Sequence, residues 1–257
     1  MPSVQDLSAP YENHLLPVLP AGPGVCRVCH TFVASDFECC YQCSEARRSL
    51  TSTVEAIDFV ALAVKGEQLA RELAVYKGTN HVAASRTRFT LSAVLWRWLV
   101  EHEDCVAEAA DVVRFPVVTA IPSTGGRTTH PLDDMVGRAI KATADRYRPV
   151  LRVPPGSPGD RSFAEDRFEA EPPPGHEVPV LLVDDTFTSG AHVQSAAAAL
   201  RAAGWGPIGV VCIGRHFNRR PPGDRYREAA EAYYQEARSR RWDWSRCCLC
   251  DLTFDFT

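Results

Sequence analysis

Long apolar runs are missing from this chain. None approaches the roughly 18 residues that a membrane-spanning helix needs. The N-terminal stretch MPSVQDLSAPYENHLLPVLPAGP has neither a basic start nor a continuous apolar segment, so it does not read as a secretory signal. Charge of one sign is also missing. The 28 basic and 32 acidic residues leave a net charge of −4, which disfavours a nucleic-acid partner for the molecule as a whole. Lysine is scarce: Lys65, Lys77 and Lys141 are the only three among those 28 basic residues, a bias we attribute to genome composition. No internal repeat is visible. These absences point to the cytoplasm, where disulfides are rare. Ten cysteines in that setting suggest metal ligands before anything else.

The 257 residues, 45% hydrophobic and 23% charged, suffice for a proper core without staples. We divide them into an N-terminal arm with a cysteine ribbon (1–50) and an α/β domain (51–257). Cys26-x2-Cys29 is followed, ten residues on, by Cys40-x2-Cys43. Each CxxC turn presents two thiolates, and two such turns complete a tetrahedral, structural Zn²⁺ site. A third pair, Cys247 and Cys250, gives two further candidate ligands. They could join Cys39 or His30, or lend themselves to the first site. Cys105 and Cys212 read as small core residues.

The stretch from Ser44 to about Lys77 reads as helical, as does 86–103. From residue 112 the pattern changes to short β-branched runs (FPVVTAI, PVLRV, VPVLLV, IGVVCI) alternating with helical segments over 131–147, 192–203 and 221–241. That alternation predicts βαβ units and a parallel sheet covered on both faces. A Pro- and Gly-rich loop, 154–177, interrupts it, and loops this long are often lids. Gly204-x-Gly206-x-x-Gly209 lies between a helix and a strand, the reverse of a dinucleotide fingerprint, and is a turn.

The chemistry concentrates in Val180-Leu-Leu-Val-Asp184-Asp185-Thr186-Phe187-Thr188-Ser189-Gly190-Ala191-His192. An apolar strand ends in two carboxylates, and a hydroxyl-rich glycine turn leads into a helix. Ligands of open α/β sheets bind at such strand ends. A turn of this kind offers backbone N–H groups to phosphate. The adjacent carboxylates suit the vicinal hydroxyls of a sugar or a divalent cation, so the residues alone predict a phosphorylated-sugar site.

This segment resembles the phosphoribosyl-pyrophosphate (PRPP) motif of type I phosphoribosyltransferases. The resemblance implies that Asp184 and Asp185 hold the ribose hydroxyls, and that Thr186, Thr188, Ser189, Gly190, Ala191 and His192 surround the 5-phosphate. His192 stands where the family usually has threonine. An earlier strand end, Ser123-Thr124-Gly125-Gly126-Arg127, matches the position of the family's pyrophosphate loop. Arg127, with Lys77 and Arg161, would neutralise pyrophosphate, and Mg²⁺ would accompany PRPP. Loop 154–177, which carries Arg161, Phe163, Arg167 and Phe168, falls where the family has a closing lid. The acceptor would be recognised by a hood, here residues 55–105 and the tail, where Trp96, Trp98, Trp205, Trp242 and Trp244 are candidate stacking platforms. A cysteine ribbon joined to such a domain, with Lys77-Gly78 in the helical stretch and Arg215 just after the last strand, is similar to the ComF family, linked to competence. The expected activity is transfer of ribose 5-phosphate from PRPP to an unidentified acceptor with release of pyrophosphate. The alternatives are a non-catalytic PRPP sensor or a DNA-handling adaptor. Dimers are common among such enzymes, so a homodimer stays open.

Overall fold

A computed structural model describes residues 3–34, 36–78, 81–124, 130–158 and 160–250. Four strands form one parallel sheet: β1 (Ile57–Val64), β2 (Val117–Ala120), β5 (Val178–Phe187) and β6 (Trp205–Phe217), in the order β1-β6-β5-β2. Strands β3 (Leu151–Arg152) and β4 (Glu169–Ala170) pair with each other, antiparallel and outside that sheet. The helices are α1 (Val4–Ser8), α2 (Tyr41–Ser49), α3 (Gln68–Val75), α4 (His81–Ala109), α5 (Pro131–Asp134), α6 (Lys141–Ala144), α7 (Ala191–Ala202) and α8 (Asp224–Ser239).

Alternate side chains of each strand point to opposite faces, and both faces are apolar. Leu181, Val183, Val211 and Ile213 pack against Leu69 and Leu73 of α3, Leu91 and Leu95 of α4, and the segment containing α5 and α6. Val180, Leu182, Val210 and Cys212 pack against α7, α8 and the cysteine ribbon. The fold is therefore α/β, a parallel sheet between two helical layers. Among the described residues no helix is long and apolar enough to cross a membrane.

Three local readings need correction. Ser44–Lys77 is not one helix but α2, β1 and α3. All eight residues of β1 are buried, so it lacks the alternation that marks a half-exposed strand, and its alanines mimic helical spacing. Ile57–Val64 consequently belongs to the central sheet, although it falls within the stretch 55–105 assigned to acceptor recognition. The helix over 131–147 is broken by a π-turn at Met135–Ala139. There the backbone approaches Tyr147 so closely that a Cβ on Gly137 would lie 2.6 Å from its ring. PVLRV contributes only to the small β3–β4 pair.

The free edge of β1 is covered, as exposed edges generally must be. The arm runs along it, with the Leu62 amide donating to the Leu16 carbonyl (2.9 Å). From the other end of the chain, Trp242 Nε1 donates to the Val60 carbonyl (2.9 Å).

Candidate functional site

The C-terminal ends of β2 and β5 open into a cleft of about 480 Å³. Of the residues singled out in the sequence, Lys77, Ser123, Thr124, Arg161, Asp184, Asp185, Thr186, Thr188, Ser189, Gly190, Ala191 and His192 all line it. Gly125, Gly126 and Arg127 lie outside the described residues. Residues spread over more than a hundred positions thus converge because β2 and β5 are parallel neighbours, with Thr119 beside Leu182 and Ala120 beside Val183.

The acidic pair lies near the C-terminal end of β5, which runs on through Thr186 and Phe187, with side chains on opposite faces. Asp185 is on the face of α3 and is held by Lys77 Nζ (2.6 Å) and by the hydroxyl of Tyr76, which donates to its other oxygen. Tyr76 is fully buried. Nothing in its sequence context marks it, since a Tyr-Lys pair at a helix end is unremarkable. Asp184 accepts from the Asp185 amide (2.8 Å). Burial, then the neighbouring Asp185 charge, push the Asp184 carboxyl up to about 7, while Lys77 and that amide pull the other way.

Gly190 permits the turn into α7. It is left-handed (φ +86°), and a Cβ there would lie 2.5 Å from the Phe187 ring. The turn lies at the start of a 12-residue helix, where unpaired N–H groups and the helix dipole favour an anion. Burial, followed by the charge of Arg167, holds His192 below the usual imidazole range, so near neutrality it offers one N–H rather than a cation.

Loop 154–177 is docked in part. Arg167 is fully buried and donates to the Ser162 carbonyl (2.8 Å), and the Ala164 amide donates to Ser195 Oγ of α7 (3.1 Å). Phe168 is also buried. These two residues hold the loop down, and Arg161 is the one of the four singled out that faces the cleft.

Cys26, Cys29, Cys40 and Cys43 bring their sulfurs within 4.8 Å of one another, a set that could hold a structural zinc. Arg215 ties this cluster to the cleft. Its guanidinium donates from Nε to the Cys29 carbonyl (2.7 Å) and from Nη2 to Cys29 Sγ (3.3 Å). From Nη1 it donates to the carbonyls of Phe187 (3.2 Å), Thr188 (3.2 Å) and His216 (2.9 Å). One buried side chain therefore bridges a candidate zinc ligand and the turn between β5 and α7. The ComF resemblance marks Arg215 as lying just after the last strand; the structure places it within β6.

Cys247 and Cys250 are not near the ribbon's ligands. They meet His102 and Cys105 of α4, the four ligand atoms lying within 4.8 Å of one another. Cys39 instead accepts from Arg47 Nη1 (3.5 Å), and the His30 ring bonds the Leu19 carbonyl through Nδ1 (3.1 Å). The i, i+3 spacing of His102 and Cys105 was the available signal, hidden inside an apolar helix. The tryptophans do not line the cleft: Trp98 stacks on Trp242 in the core with Trp244 edge-on to Trp242, and Trp205 Nε1 donates to the Glu171 carbonyl. Beyond β6, Arg219, Arg225, Arg227 and Arg240 form ion pairs with Glu231, Asp36, Asp224 and Glu236.

No family model matches this chain, and no curated protein matches it either.

Proposed function

We propose that this chain is a phosphoribosyltransferase of the type I kind, similar to ComF proteins in joining that domain to a zinc ribbon. The observation that carries the reading is the convergence of Asp184, Asp185 and the Thr188–His192 turn with Ser123, Thr124 and Lys77 in one cleft. The turn would take the 5-phosphate of PRPP through backbone N–H groups and the hydroxyls of Thr188 and Ser189. The carboxylates would accept from the ribose 2- and 3-hydroxyls, Asp185 exchanging its bond to Lys77 for one of them. Lys77, so released, would face the pyrophosphate together with Arg161 and the loop after β2.

Oxygen donors beside phosphates suit Mg²⁺, which would supply charge neutralisation on the leaving pyrophosphate. A nitrogen acceptor would then form its bond to C1 as the C1–O bond breaks, pyrophosphate leaving with the electron pair. The protein contributes positioning and fixed charge, which together lower the barrier by holding the reactants in line and by stabilising the charge that develops on the leaving group.

The test is pyrophosphate release from PRPP and Mg²⁺ across a panel of nucleobases, ammonia and simple amines. Release that requires an acceptor is the expected outcome. Intact PRPP with every acceptor would overturn the transferase reading and leave a module that binds PRPP without turnover.

A further inference from the structure

We propose that His102, Cys105, Cys247 and Cys250 form a second structural zinc site, one that staples the C-terminal segment onto α4. The inference does not depend on the function of the cleft. The residues come from two places about 140 positions apart, and their four ligand atoms all lie within 4.8 Å of one another. With Zn–S near 2.3 Å and Zn–N near 2.0–2.1 Å, tetrahedral ligands sit roughly 3.5–3.8 Å apart. Cys105 Sγ and His102 Nδ1 are 3.8 Å apart.

The surroundings orient the ligands. His102 Nε2 lies 2.7 Å from the Trp244 carbonyl and donates its N–H there, which leaves the Nδ1 lone pair facing the sulfurs. Such an outer hydrogen bond fixes the tautomer of a metal-bound histidine. The amides of Cys247 and Cys250 donate to each other's sulfurs (3.0 and 3.3 Å), and backbone N–H···S bonds of this kind stabilise thiolates. In the ribbon the Cys43 amide donates likewise to Cys40 Sγ (3.5 Å). His102 and Cys247 are buried, while Cys105 and Cys250 are partly exposed, which gives an ion a way in.

The consequence is mechanical. The same tail places Trp242 and Trp244 against Trp98, with the Trp98 and His102 rings 4.3 Å apart, and Cys248 donates to buried Asp58 (3.2 Å). A cation here would lock the cover over the free edge of β1.

The full chain, purified without chelator, should contain two zinc ions by elemental analysis. Cys247→Ser with Cys250→Ser should reduce this to one. Cobalt exchange should show an S3N spectrum superimposed on the S4 spectrum of the ribbon, and only the S4 component should remain in the variant. Chelation should alter tryptophan fluorescence through the adjacent indoles. Should the variant not fold, alkylation mapping of the wild type decides. Cys105, Cys247 and Cys250 should be protected in the metal-loaded protein and become reactive together on chelation. One zinc per chain, with Cys247 and Cys250 readily alkylated or joined as a disulfide in the loaded protein, would overturn the proposal.

Discussion

Arg215→Met should lower the melting temperature by roughly 10 °C and weaken binding of any phosphate ligand in the cleft. The side chain is buried and donates to four carbonyls and one sulfur. Methionine fills much of the volume but leaves those acceptors without donors. Removing one partner from a buried charged network typically costs about 3–5 kcal/mol. For a chain of this size, each kcal/mol is worth about 2–4 °C. Arg215→Lys should rescue little, because an ammonium cannot reach both the ribbon and the turn as the flat guanidinium fork does. The carbonyls of Phe187 and Thr188 lie where β5 turns into α7, the place the proposed function gives to phosphate, so binding and stability should fall together. Differential scanning calorimetry with phosphate-ligand titration checks both. Unchanged melting with unchanged binding would show that the bridge does not couple the two regions.

Asp184→Asn should raise stability near pH 8 and flatten its dependence on pH. The folded pKa of Asp184, about 7, lies above the unfolded value of roughly 3.9. Between those values the folded state binds the extra proton, so stability falls as pH rises from about 4 to about 7 and is level above. The loss is on the order of 4 kcal/mol by that linkage. A neutral amide escapes it. Ligand binding should move the other way, since a sugar hydroxyl donates to carboxylate but not to the protonated oxygen. PRPP affinity in the wild type should therefore strengthen as pH rises through about 7. The phosphates of PRPP titrate nearby, near pH 6, and that part of the slope should survive in the variant. Denaturant melts from pH 4 to 8 check the stability profile, and PRPP titrations of wild type and variant at pH values spanning about 7 separate the carboxyl and phosphate contributions to affinity. A site built for binding at the expense of stability would show this trade.

Strands β5 and β6 and helix α7 between them were legible because the strands are apolar runs bounded by turns, and the Asp184–His192 segment carries its chemistry in adjacent residues. Strand β1 was illegible for a physical reason. It is buried on both faces, so periodicity does not separate it from a helix. The partners of Cys247 and Cys250 depend on how the tail folds back across α4, a tertiary fact that local spacing does not encode. Tyr76 escaped for the same reason: it acts on a group 109 positions away in the chain. Docking of loop 154–177 through Arg167 could not be inferred either, since an arginine in a polar loop ordinarily stays in solvent.

The central claim is that the cleft at the end of β5 binds PRPP through its carboxylates. Calorimetric titration of PRPP with Mg²⁺ into the zinc-replete chain tests it most directly, run beside Asp184→Asn/Asp185→Asn. The account predicts saturable, roughly stoichiometric binding by the wild type and at least a hundredfold loss in a double variant that remains folded by circular dichroism. Equal binding by both proteins, or none by a folded wild type, would contradict it.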